Sequence, residues 1–189
     1  MGIGSQVGLE GDMTNMKQAV FLDRDGVINR AIVRDGKPYP PANLAALEIL
    51  PGVVGAMHLL HEAGWLLIVV TNQPDVARGV TPLADVEAIN LHLQQCLPID
   101  EFRTCYHDSS DGCICRKPLP GALLAAADAH GIHLESSYMV GDRWQDTEAG
   151  ERAGCKTIFL DYGYNERQPK SFNHRVRSLV EAADIILGK

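Results

Sequence analysis

The chain has 189 residues, 46% of them apolar and 22% charged, with a net charge of −7. That reads as one soluble globular domain with a full core and no need of disulfide support. The acidic balance, and the lack of a basic stripe interleaved with aromatics, disfavour nucleic acid as a partner, and no stretch approaches the ~20 apolar residues of a membrane helix.

Residues 1–16, "MGIGSQVGLEGDMTNM", lack the basic start and apolar run of a secretory signal and are assigned as a flexible tail, with Met13 and Met16 as alternative starts. The domain is placed at residues 17–189. Gln18–Asp23 is a short apolar run ending in an acid and is expected to be a strand. Arg30–Gly52, "RAIVRDGKPYPPANLAALEILPG", reads as a proline-stiffened loop. Within it Arg34, Lys37 and Tyr39 are candidates for contact with a second phosphate or a sugar, a plain surface role being the alternative. Gly52–Gly64 has helical spacing, with Pro51 before it and Gly64 as a stop. Trp65–Asn72 is continuously apolar, as in a strand covered on both faces. Thr81–Leu97 is a predicted helix, capped by Thr81 with Pro82 in its first position.

Glu101–His107 is expected to be a strand running into a cysteine-rich loop, and Pro120–Gly131 a helix ending at its glycine. Strand Ser136–Asp142, helix Trp144–Gly154 and strand Cys155–Asp161 follow. Val176–Gly188 gives a last helix and a short strand. The alternation predicts an α/β fold, a doubly wound parallel sheet with helices on both faces. In such sheets ligands bind beyond the carboxyl ends of the strands. Asp23, Thr71, Asn72, His107 and Asp142 all fall at such ends. The intervals between them leave no room for an inserted cap domain, so the site should be open and its loops should select the substrate.

Asp23 and Asp25, in "FLDRDG", lie two apart, so an extended backbone points both the same way. Gly26 lets the chain bend there. Asp142 adds a third carboxylate and Asp146 a fourth. Hard oxygen ligands of this kind suit Mg²⁺, which relieves their mutual repulsion. Asp23 is then a candidate nucleophile toward phosphorus and Asp25 a candidate general acid and base. On this short motif alone, an acid pair serving as a turn or helix cap is an equal reading.

Of five cysteines, three fall within residues 105–115. With no secretory signal, a reducing, cytoplasmic setting and metal binding are favoured over disulfides. Cys105, His107, Cys113 and Cys115 form C-x-H-x5-C-x-C, two close ligand pairs suited to a tetrahedral, structural Zn²⁺. Arg116 and Lys117 follow directly, so zinc would aim both cations. Cys96 and Cys155 read as ordinary buried thiols.

Four segments, "FLDRDGVIN", "VVTNQPDVARG", "CRKPLPG" and "YMVGDRWQD", occur in an order that resembles the four motifs of the haloacid dehalogenase (HAD) superfamily of phosphatases. With the cysteine loop, the chain from about Lys17 to its end resembles the heptose-bisphosphate phosphatase and histidinol-phosphatase group. The resemblance implies Asp23 as nucleophile and Asp25 as acid and base. It implies Mg²⁺ held by the Asp23 and Asp142 side chains and the Asp25 carbonyl. Thr71 and Lys117 would hold the transferring phosphoryl group, while Asn72, Arg116 and Arg143 would bind substrate. Pro74 and Asp75 depart from the Ser-Gly usual after "TNQ", the zinc loop is short, and Arg143 stands in place of lysine. These departures leave the chemistry intact and bear on the substrate. The expectation is a monomeric, Mg²⁺-dependent phosphomonoesterase acting on a small phosphorylated substrate, with no membrane or nucleic-acid partner. The 7-phosphate of D-glycero-D-manno-heptose 1,7-bisphosphate leads. Histidinol phosphate is its rival, and a zinc-stabilised, non-catalytic binding module is the reading from another class.

Overall fold

A computed structural model describes residues 17–189, and the tail assigned to residues 1–16 lies outside the described residues. Eight strands and five α-helices follow in chain order: β1 (Ala19–Leu22), β2 (Ile32–Arg34), β3 (Lys37–Tyr39), α1 (Val53–Glu62), β4 (Leu66–Asn72), α2 (Leu83–Cys96) and β5 (Glu101–Cys105). The second half comprises α3 (Gly121–His130), β6 (Tyr138–Gly141), α4 (Trp144–Ala153), β7 (Lys156–Leu160), β8 (His174–Val176) and α5 (Leu179–Ile186). Six strands form one sheet in the order β5-β4-β1-β6-β7-β8, and every neighbouring pair is parallel.

The period-two alternation of a strand explains the two cores. In β1, Val20 and Leu22 face one layer and Ala19 and Phe21 the other. The first layer packs Met57 and Leu60 of α1, Ile89 and Leu93 of α2, and Leu179 and Ile186 of α5. The second packs Leu123 and Ala126 of α3 and Ala149 and Ala153 of α4. Each fully buried Val, Leu or Phe contributes about 1.5–3 kcal/mol by leaving water. The continuous apolar run of β4 therefore reflects a strand buried on both faces. None of the described helices is long and apolar enough to cross a membrane.

Chain order reverses at β1, with β4 on one side and β6 on the other. That is the switch point at which open α/β sheets bind ligands. The carboxyl ends of β1, β4 and β6 thus bring Asp23, Thr71 and Asp142 to one edge.

Four expectations need correction. Arg30–Gly52 is not a plain loop, because β2 and β3 pair as a hairpin with Arg34 opposite Lys37. Its two-residue turn, Asp35-Gly36, has positive φ at both positions (50° and 73°), as a tight hairpin turn matched to strand twist requires. Thr81 does not cap α2. Pro82 occupies the cap position with extended backbone and no side-chain cap bond. The short last strand precedes the final helix instead of following it, and the side chain of Ser178 caps α5. Cys155 is buried as expected, but Cys96 is exposed at the end of α2.

Candidate active site

A cleft at the switch point is lined by seven of the predicted residues, Asp23, Asp25, Thr71, Asn72, Arg116, Lys117 and Arg143, together with Tyr39 and Asp146. Lys117 is the buried cation among them. Its Nζ donates to Asp23 Oδ1 (2.7 Å) and to the Val70 carbonyl (2.6 Å), and it pairs with Asp146 Oδ1 (2.6 Å). An ammonium has three hydrogens, so all are committed. Burial opposes the charge on Lys117, yet Asp146 and Asp23 hold its pKa above the usual lysine value. Asp146 also accepts the Arg143 N–H through Oδ2 (2.9 Å), closing the first turn of α4.

Asp23 is pushed up to about 6, mainly by burial, with Lys117 pulling down and Asp146 and Asp25 pushing up. Asp142 is raised well above 3.8, by burial first and then by the charges of Asp23 and Asp146. Both Asp142 oxygens are buried without a well-formed hydrogen bond among the described residues, and the Tyr164 hydroxyl, which acts on the carboxylate, only partly offsets its burial. An unpaired buried carboxylate is costly. Asp23, Asp142 and Asp146 bring carboxylate oxygens within 4.8 Å of one another. This donor set, with an orphaned acid in it, fits a hard divalent cation. Gly26 makes the room: a Cβ there would meet Asp142 Oδ2 at 1.8 Å.

Asp25 is held apart from that cluster. Its carboxylate accepts from Asn29 Nδ2 (2.9 Å), Gln73 Nε2 (2.8 Å) and Arg24 Nη2 (3.1 Å). Gln73 Nε2 also donates to Thr71 Oγ1 at 2.9 Å. Asn72 grips the backbone of Lys117 at both ends of its amide. Its Oδ1 accepts the Lys117 N–H (3.1 Å) and its Nδ2 donates to the Lys117 carbonyl (3.0 Å). Arg143 lines the cleft but is paired with Glu166 (Nε to Oε1, 2.9 Å). Arg116 spends one donor on the His107 carbonyl (3.2 Å).

The cysteine loop brings its four predicted ligands together. Cys105 Sγ lies 3.7 Å from Cys113 Sγ and 3.3 Å from Cys115 Sγ. His107 Nδ1 lies 3.6 Å and 3.4 Å from the Cys105 and Cys115 sulfurs. With Zn–S near 2.3 Å, a tetrahedral shell has edges of about 3.8 Å, so these ligands stand near the spacing zinc asks for. Arg78 ties the segment after β4 to this loop, bonding Asp108 (Nε to Oδ2, 3.0 Å) and Asp75 (3.2 Å). Asp75, one of the two departures after "TNQ", is thereby explained.

Of the three loop candidates, Tyr39 lines the cleft, while Arg34 sits over the Tyr39 ring (5.8 Å to its centroid). Lys37 does not line the cleft. Sequence reasoning missed Arg24, Asn29 and Gln73 as holders of Asp25, and Glu166 as the partner of Arg143. Gln73 was within reach, since it stands in "TNQ" beside Thr71 and Asn72. Glu166 carried no signal, because its loop follows β7, far along the chain.

The HAD-hydrolase-like family pattern matches residues 114–182. A D-glycero-beta-D-manno-heptose-1,7-bisphosphate 7-phosphatase from Pseudomonas putida is 36% identical over 156 residues, 78% of this chain and 85% of the relative. The chain belongs to the HAD phosphatase family. The enzyme of the same name from Escherichia coli K12 is 36% identical over 160 residues, 78% of this chain and 81% of its own. Among solved structures, this HAD phosphatase superposes on the D,D-heptose 1,7-bisphosphate phosphatase of B. bronchiseptica, complexed with magnesium and phosphate. The TM-score is 0.77 at 30% identity, over 90% of this chain and 98% of that one. A second solved structure, a HAD-like protein from Mesorhizobium loti, gives 0.72 at 28% identity over 97% and 91% of the two chains. The alternative of a binding module without turnover is set aside by these relatives, which are named phosphatases.

Proposed function

We propose that this HAD phosphatase removes the 7-phosphate of D-glycero-D-manno-heptose 1,7-bisphosphate, working as a monomer in the cytoplasm. The observation that carries the chemistry is the buried contact of Asp23 with Lys117 beside the orphaned Asp142. The 34–36% identity to heptose-bisphosphate phosphatases supports the substrate.

Asp23 attacks phosphorus in line with the ester bond, giving an aspartyl-phosphate as the sugar oxygen leaves. Asp25 gives its proton to that oxygen, then takes one from the water that cleaves the acyl phosphate, restoring both acids. Lys117 would exchange one of its present acceptors for a phosphoryl oxygen, and the Thr71 hydroxyl would hold another. Both stabilise charge where it is spread in the transition state. Arg116 and Tyr39 border the space left for the remainder of the sugar, and Asn72 positions Lys117 through its backbone. Mg²⁺ would be held by Asp23, Asp142 and the Asp25 carbonyl, and when bound it would offset the acids and the phosphate charge. Zn²⁺ on Cys105, His107, Cys113 and Cys115 would be structural.

The test is phosphate release with Mg²⁺ from heptose 1,7-bisphosphate anomers, histidinol phosphate and other sugar phosphates, using wild type and Asp23→Asn. Release from the heptose ester well above the others, abolished in Asp23→Asn, is expected. Preference for another ester would overturn the substrate, and turnover surviving in Asp23→Asn would overturn the mechanism.

A further inference from the structure

Among the described residues, Arg24 is the largest side chain that is wholly buried. It stands between the two acids of the first motif. Burying a guanidinium is costly, and an apolar residue of similar size often serves stability equally well. The contacts of Arg24 suggest another use. Nη2 reaches both oxygens of Asp25 (3.2 and 3.1 Å) and Nε reaches Oδ1 (3.3 Å). Nη1 donates to Asn90 Oδ1 at 2.8 Å. Asn90 sits on the buried face of α2 with Val86, Ile89 and Leu93, and its Nδ2 donates to Thr104 Oγ1 on β5 (3.2 Å). Asn29 and Gln73 each hold one Asp25 oxygen. Among the described residues Arg24 is the single side chain that bonds both, so with those two it fixes the rotation of the carboxylate, which remains 14% exposed at the cleft.

We propose that Arg24, anchored by Asn90, is a positioning residue that holds the Asp25 carboxylate in register with the departing ester oxygen. This rests on the reading of Asp25 as the proton donor. Proton transfer demands hydrogen-bond geometry, and small misplacements are expensive. The dependence is selective. A sugar alkoxide is a poor leaving group and needs the proton as the P–O bond breaks, whereas a nitrophenolate departs without it. The ratio of kcat/KM for a sugar phosphate to that for p-nitrophenyl phosphate therefore isolates the protonated step. It covers events only through ester cleavage and excludes hydrolysis of the aspartyl-phosphate.

The experiment measures this ratio, with Mg²⁺ and zinc present, in wild type, Arg24→Lys, Asn90→Ala, Asn90→Asp and Asp25→Asn, each checked for folding by circular dichroism. Proton donation contributes roughly 10²–10⁴-fold. The ratio should fall by about that factor in Asp25→Asn, by about 10-fold or more in Arg24→Lys, and by a smaller factor in Asn90→Ala. Asn90→Asp keeps an oxygen for Nη1 and should restore the wild-type ratio. Should Arg24→Lys not fold, the Asn90 pair carries the test alone. Equal losses on both esters, in folded protein, would make Arg24 and Asn90 merely structural and overturn the proposal. An unchanged ratio in Asp25→Asn would overturn the reading of Asp25 itself, and the proposal with it.

Discussion

Lys117 shows how a single residue can hold a buried charged cluster together and also stand where the proposed chemistry needs a cation. It is buried, its three hydrogens are committed, and two of its acceptors are the carboxylates of Asp23 and Asp146. Removing one partner of a buried ion pair costs about 3–5 kcal/mol, largely because the other charge is left uncompensated. Lys117→Met should lower urea stability by that order in metal-free protein and abolish turnover. Lys117→Met/Asp146→Asn should regain much of the stability and none of the activity. If the double variant were no more stable than the single one, Asp146 would not be the charge that Lys117 compensates. Gly26 offers a second test. A Cβ there falls on Asp142, so Gly26→Ala should raise the Mg²⁺ concentration needed for half-maximal activity, with little change at saturation. An unaltered Mg²⁺ titration would refute the crowding argument. That Asp23, Asp25 and Lys117 meet in one cleft was readable from short motifs, because the chemistry proposed for them asks for those types at that spacing. The role of Asp146 was not, since it depends on how the first turn of α4 faces a lysine almost thirty positions earlier.

Among the elements, those buried on both sides were easiest to read. The run of β4 announces itself by continuous apolar composition, and its structural bounds differ from the predicted ones by one residue. The hairpin β2–β3 was overlooked because its strands are short and half exposed, so alternation gave little signal, and prolines drew attention instead. Its Asp-Gly turn was the available clue. That turn docks onto the segment after β7: the Asn165 N–H donates to the Gly36 carbonyl at 2.7 Å, and a Cβ at Gly36 would meet the Asn165 Cβ at 2.8 Å. Gly36→Val combines strain at φ 73° with that clash. It should raise KM for the sugar phosphate several-fold through Tyr39 while sparing kcat. A fall in kcat alone would detach the hairpin from substrate binding. The cysteine loop, with zinc proposed on it, makes a parallel prediction. Cys113→Ser, or chelation under conditions that spare Mg²⁺, should cut kcat/KM by misplacing Arg116 and Lys117 and leave the Mg²⁺ requirement unchanged. Full activity in folded, zinc-free protein would dismiss the idea that zinc aims these cations.

At the scale of the whole molecule, strand order was not legible, because parallel strands of similar composition leave their neighbours unspecified. Only the structure puts β1 between β4 and β6, and that placement gathers Asp23, Asp142 and Asp146 from separate segments into one buried cluster. The cluster makes global stability depend on pH in a definite sense. Asp23 moves from 3.8 to about 6 on folding, and Asp142 moves upward as well. A carboxyl raised in the folded state stabilises that state while protonated. Its contribution is complete below the unfolded value of 3.8 and is lost as pH rises through the folded value, near 6 for Asp23. A bound divalent cation requires the ionised acids, so it should restore above pH 6 what deprotonation removes. The increase in Tm given by Mg²⁺ should therefore be small at pH 5 and grow steadily to pH 7.5. Asp142→Asn, fixed in the neutral form, should melt above metal-free wild type at pH 7.5, converge with it near pH 4, and no longer respond to Mg²⁺. A Mg²⁺ increment equal at both pH values, or an Asp142→Asn protein less stable than wild type at pH 7.5, would mean that the three acids do not carry the strain assigned to them.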